Sequence, residues 1–149
     1  MISGSDSNRI LNALEASSNW GAELRREAMA LIDDLPNYDW CGIYKLEGAM
    51  LVLDEYVGER TEHTHIPIGR GVCGAAVEAN ANQLVADVRS LDNYLSCSLK
   101  TRSEIVVLIY NDQGAILGQI DIDGHTVGAF DRSDEEFLEN VAKMLAVRW

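Results

Sequence analysis

The sequence predicts an α+β fold, with a central, mostly antiparallel sheet flanked by N- and C-terminal helices. Three observations carry this. Helical periodicity is concentrated at the two ends of the chain, β-rich runs come in two adjacent pairs separated by short turn-forming segments, and 149 residues is the length of one ordinary domain. Strands joined by tight turns run antiparallel, and helices segregated from them gather around the sheet. One domain over residues 1–149 is expected, with N-terminal helices within 8–34 and the core over 38–149.

Apolar residues recur at helical spacing over residues 8–17 (Ile10, Leu11, Leu14) and 20–31 (Leu24, Ala28, Leu31), which predicts two helices or one broken helix. The run "DLPNYD" around Pro36 stops them. "WCGIYKL" and "MLVLDEYV", joined by "EGA", read as a hairpin, and "THIPI" as a short third strand. "GVCGAAVEANA" then reads as a short helix and "QLVADV" as a strand. Residues 89–102 show no period and predict a long loop, where functional groups often sit. "SEIVVLIY" and "AILGQIDID", separated by "NDQG", make a second hairpin. Ser133 and Glu136 have capping-box spacing at the head of a final amphipathic helix.

Composition narrows the function. Hydrophobic residues at 47% and charged residues at 24% describe a soluble globular chain. No apolar run is long enough to span a bilayer and "MISGSDSNRI" does not read as a signal peptide, so no membrane is expected as a partner and the cytoplasm is the expected address. A net charge of −12 argues against nucleic acid, whose affinity comes from cationic side chains releasing counterions. Cationic or zwitterionic small molecules suit such a surface better. Cys41, Cys73 and Cys97 are an odd number without a C-x-x-C, which suggests neither a disulfide framework nor a zinc knuckle. A pair that oxidises in a reducing compartment is more naturally transient and catalytic.

Gly69, Gly71 and Gly74 in "IGRGVCGA" match G-x-G-x-x-G. A dinucleotide site needs a longer βαβ unit than this stretch can supply between two hairpins. The glycines read instead as a tight turn into a helix whose first turn carries Cys73, where unpaired amides and the helix dipole favour a thiolate.

"WCGIYKL", "IPIGRGVCGAA", "ADV", Cys97 at its spacing from Glu104 in "RSEIVV", and "IDID" followed by "FD..DEEFLE" occur in an order that resembles the free methionine-(R)-sulfoxide reductases, enzymes built on a single GAF domain. The resemblance spans about residues 39–137. It implies that Cys97 is the nucleophile and that Cys73 resolves the intermediate as a disulfide. Glu104, Asp121 and Asp123 would hold and polarise the substrate, with Trp40 and Tyr44 as the aromatic wall beside its methyl end. It also implies reduction of free L-methionine (R)-S-oxide to methionine, recycling by a thioredoxin-like protein, and no metal or organic cofactor. The chain departs from the family pattern at three places. His63 stands where many members have a further cysteine, Leu108 follows "SEIVV" in place of proline, and Gly124 follows "DID" in place of serine.

The residues fit that chemistry on their own terms. Sulfoxide reduction needs a thiolate to meet sulfur, a proton to reach oxygen, and a second thiol to condense with the resulting sulfenic acid. Alternation along a strand puts Asp121 and Asp123 on one side and Ile120 and Ile122 on the other. With Glu104 facing them, three like charges would raise at least one carboxyl's pKa and make it a proton donor, while the remaining charge binds an ammonium group. Lys100 and Arg102 would favour a Cys97 thiolate if they turn inward. Cys41 alternates away from Trp40 and reads as a small buried hydrophobe. His63 and His65 have the spacing of two zinc ligands but no evident third, and His125 reads as a loop residue. A GAF module that binds or senses a small ligand, or a redox sensor with a Cys73–Cys97 disulfide, is the alternative. Trp20 and Trp149, at or near the exposed ends of the terminal helices, leave a homodimer open.

Overall fold

Periodic apolar residues near the N-terminus form two separate helices in the computed structural model, which describes residues 1–92, 94 and 99–149. Helix α1 (Gly4–Ala16) begins earlier than residue 8 because the Ser3 hydroxyl accepts the Asp6 amide at 3.0 Å, a side-chain cap that periodicity does not reveal. Helix α2 (Gly21–Asp33) buries Leu24, Ala28, Met29 and Ile32 on one face. Its Arg25 is also buried, held by Asp54 at 2.6 Å and lying 4.6 Å over the Trp149 ring, so one guanidinium ties this helix to the sheet and to the C-terminal segment.

The two expected hairpins are β1 (Trp40–Glu47) with β2 (Met50–Val57), and β5 (Ser103–Tyr110) with β6 (Ile116–Gly124). In the second turn the Asn111 side chain accepts the Gln113 and Ala115 amides, a local bond that explains "NDQG". Strands β3 (His65–Pro67) and β4 (Gln83–Val85) close the edges, giving the order β3-β2-β1-β6-β5-β4 with every neighbour antiparallel. Helix α3 (Gly71–Ala79) carries the chain from one edge to the other. The "QLVADV" strand is shorter than its sequence suggests. After Val85 the Asp87 side chain caps a 3₁₀ turn over Val88–Ser90, and Val88 donates to the Arg102 carbonyl at 2.7 Å, closing the base of the 89–102 loop.

Helix α4 (Arg132–Val147) does carry a capping box, but not the expected one. Asp131 is the N-cap and Asp134 its reciprocal partner. Ser133 cannot serve because it is already inside the helix, whereas Asp131 has the extended backbone that a cap requires.

The two faces of the sheet do different work. Cys41, Ile43, Ile105, Val107, Ile109, Ile120 and Ile122 form one core with α1, α2 and α4. Burial there pushes the Cys41 thiol up, consistent with an inert hydrophobe. On the opposite face Trp40, Tyr44, Val106 and Leu108 pack with Leu51, Ile66 and the underside of α3, including Cys73. Among the described residues no helix is long and apolar enough to cross a membrane. Trp20 is 65% exposed, while Trp149 is half-buried against Arg25.

Candidate functional site

Antiparallel register builds the α3 face in three rows. Trp40, Asp123 and Glu104 stand opposite one another across β1, β6 and β5; Gly42, Asp121 and Val106 form the next row; Tyr44, Gln119 and Leu108 the third. Because side chains alternate, Asp121 and Asp123 rise from this face while Ile120 and Ile122 enter the other core, as the alternation predicts. Glu104, Asp121 and Asp123 are all at most 2% exposed.

Helix α3 delivers Cys73 above the rows. The glycine loop that starts it is a packing device. Gly69 and Gly71 have φ of +89° and +63°, and a Cβ at Gly74 would stand 2.5 Å from the Pro67 carbonyl oxygen. No parallel βαβ unit exists here, since β3 and β4 lie at opposite edges, each antiparallel to its neighbour. The dinucleotide motif is therefore an accident of spacing. The Cys73 thiol, 5% exposed, donates to Glu104 Oε1 at 3.8 Å. A Cys73 sulfur, a Glu104 oxygen and an Asp121 oxygen lie within 4.8 Å of one another.

Crowding sets the protonation. Burial, then the charges of Asp121 and Asp123, push the Glu104 carboxyl well above its ordinary range. Burial raises Asp121 as well. Such crowding favours the neutral form of one carboxyl beside ionisable partners, the condition a proton donor requires. Glu104 Oε2 accepts from no N–H or hydroxyl donor among the described residues, and the Glu104 carboxyl shares a hydrogen bond with that of Asp121.

The aromatic wall is fixed by the chain after β2. Trp40 Nε1 donates to the Glu59 carbonyl at 2.9 Å, and the Tyr44 hydroxyl to the His63 carbonyl at 2.7 Å. The Trp40 ring stacks on Tyr56 with centroids 5.6 Å apart and lies across Gly42, where a Cβ would meet it at 2.3 Å. His63 thus contributes its backbone to this wall. His65 is exposed with its Nδ1 3.0 Å from Thr64 Oγ1, and among the described residues neither histidine joins a group of three ligand atoms. His125 is an exposed loop residue.

Cys97 lies outside the described residues. Of the cations expected near it, Lys100 pairs with Glu59 at 3.0 Å and Arg102 donates to the Leu99 and Thr101 carbonyls.

Two polar residues on this face escaped the sequence reading. Thr101, 3% exposed, donates its hydroxyl to Asp123 Oδ2 at 3.5 Å, and no sequence pattern marks it. Gln119 is fully buried, and neither its amide oxygen nor its nitrogen has a partner among the described residues. Carrying the Asp121–Asp123 alternation one step back would have found it. Two departures from the family pattern also have local causes. The Leu108 amide donates to Asn82 Oδ1 at 2.9 Å, a bond proline cannot make, and a Cβ at Gly124 would stand 2.9 Å from the Ala129 Cβ.

The GAF domain model matches residues 22–149. The chain is 37% identical over 142 residues to the free methionine-R-sulfoxide reductase of Escherichia coli strain K12, covering 94% of this chain and 84% of that one. Its fold is similar to the free methionine-R-sulfoxide reductase of Neisseria meningitidis in complex with its substrate, with a TM-score of 0.87 at 29% identity over 99% of this chain and 92% of that one. It is also similar to the reduced form of the Staphylococcus aureus enzyme, with a TM-score of 0.85 at 34% identity over 97% and 92% of the two chains.

Proposed function

We propose, from the premise that this chain belongs to the GAF-domain family and is an oxidoreductase of its free methionine-R-sulfoxide reductase branch, that it reduces free L-methionine (R)-S-oxide to L-methionine through a cysteine sulfenic acid and an intramolecular disulfide. The observation that carries this reading is the buried cluster of Glu104, Asp121 and Asp123 against Cys73.

Cys97 is the nucleophile. Its thiolate attacks the sulfoxide sulfur, the sulfoxide oxygen takes a proton from the neutral Glu104 carboxyl, and oxygen transfer to Cys97 leaves methionine and a sulfenic acid. The Cys73 thiol then displaces that hydroxyl as water and forms a Cys73–Cys97 disulfide. An external dithiol protein of the thioredoxin kind supplies the two electrons that restore both thiols. Asp121 and Asp123 receive the substrate's ammonium group, and Trp40 and Tyr44 flank its methyl end. An ammonium entering this crowded acidic face relieves repulsion that an uncharged, peptide-bonded nitrogen would leave in place, which favours the free amino acid. The reading places the enzyme in the cytoplasm as a single domain over residues 1–149, with neither a metal nor an organic cofactor in the reaction.

The test is turnover. Purified protein with dithiothreitol and each epimer of free methionine sulfoxide should release methionine from the R form, and Cys97→Ser should release none. Equal failure of both proteins would leave a ligand-binding module.

A further inference from the structure

Cys73, Glu104 and Asp121 also meet the requirements of a different ligand. We infer that the reduced chain binds one thiophilic divalent cation of the zinc class through the Cys73 sulfur and one oxygen each from Glu104 and Asp121, and that the bound ion blocks the site.

Three observations support it. The donor atoms already lie within 4.8 Å of one another, and the Cys73–Glu104 pair at 3.8 Å. Zinc–sulfur and zinc–oxygen bonds of about 2.3 Å and 2.0–2.2 Å put tetrahedral ligand atoms roughly 3.5 Å apart, so modest side-chain rotation closes the site. Glu104 is 2% exposed, and its Oε2 accepts from no N–H or hydroxyl donor among the described residues; its polar neighbour is the Asp121 carboxyl, itself a member of the proposed ligand set, so a cation would satisfy a buried acceptor there. The three residues also come from α3, β5 and β6, which hold them from separate, packed elements.

The donor set selects the ion. One sulfur with two carboxylate oxygens suits zinc or cadmium; calcium wants six to eight oxygens and magnesium an octahedron of them. Binding displaces the Cys73 thiol proton and the proton held by the Glu104 carboxyl, releasing both to solvent, with no change in oxidation state. Because the ion takes Asp121, Glu104 and the resolving thiol together, inhibition rests on the reading under Proposed function, whereas binding does not.

Cadmium is the probe, since a cadmium–thiolate bond produces its own ultraviolet charge-transfer band. Titrating cadmium into reduced Cys97→Ser protein should raise this band to saturation at one equivalent, because Cys73 remains. Cys73→Ser should lose the band, Cys41→Ser should keep it, and Glu104→Gln or Asp121→Asn should weaken binding at least about tenfold, with circular dichroism checking the fold of each. In the wild type, zinc should raise the apparent KM for methionine sulfoxide, and EDTA should reverse the effect. A band that survives Cys73→Ser, or affinity unchanged in both carboxylate variants, overturns the inference. A band without turnover overturns the reductase reading and leaves the cation site standing; turnover without a band does the reverse.

Discussion

Glu104 and Asp123 stand directly opposite each other on adjacent antiparallel strands, both almost wholly buried, and the Cys73 thiol reaches Glu104 from a helix above them. No salt bridge to Glu104 occurs among the described residues, so it is burial and like-charge crowding that govern this carboxyl.

Glu104 therefore makes stability depend on pH with a definite sign. Its folded-state pKa lies above the ordinary 4.5, so between those two values the folded chain holds a proton that the unfolded chain has released. Its contribution is fully present below 4.5 and is lost as pH rises through the raised value. Glu104→Gln, which keeps the neutral shape, should flatten the decline in unfolding free energy that sets in above pH 4.5, and should lower kcat by about 10²-fold or more through loss of the proton donor. Denaturant titrations at several pH values check the first effect; wild-type and variant curves that stay parallel would argue against it. Asp121 is raised in the same direction, so some slope should persist in the variant.

Asp123→Asn should separate ammonium binding from proton transfer. A charge-assisted hydrogen bond contributes about 1.5–3 kcal/mol, so KM for free methionine sulfoxide should rise roughly 10- to 150-fold. The N-acetylated substrate, which lacks the cation, should discriminate far less between the two proteins. Unchanged KM and kcat for the free amino acid would remove Asp123 from the recognition scheme.

Gly42→Ala should displace the aromatic wall. The new methyl would overlap the Trp40 ring at 2.3 Å, forcing the indole away from its stack on Tyr56. Overpacking of this kind costs about 1–3 kcal/mol. Tryptophan fluorescence and thermal unfolding should both shift, and an unaltered emission spectrum would show that the ring does not cover Gly42.

Gln119→Met should stabilise the substrate-free chain. A buried amide with no partner costs about 1–3 kcal/mol, and methionine fills a similar volume without that penalty. A higher Tm with an unchanged KM would mark Gln119 as a buried polar residue only. A higher Tm with a raised KM would show that the amide meets substrate, and a lower Tm would show that it is satisfied after all.

Much of this architecture was legible in the chain because it follows from local rules. The hairpins follow from β-rich runs with turn residues between them, and the separation of Asp121 and Asp123 from Ile120 and Ile122 follows from the period of a strand. The helix starts are less legible. Ser3 and Asp131 act through side-chain bonds that depend on backbone conformation, so Asp131 displaced the equally well-spaced Ser133.

By itself the sequence determined the strands, which side chains share a face, and the acidic surplus, because alternation and charge are properties of neighbouring residues. Only tertiary structure decided that Cys73 sits on Glu104, that an indole lies over Gly42, and that Gln119 is buried without a partner among the described residues. Those outcomes depend on strand register and on a helix crossing from one edge of the sheet to the other. They join positions far apart in the chain, whose spacing no local period encodes.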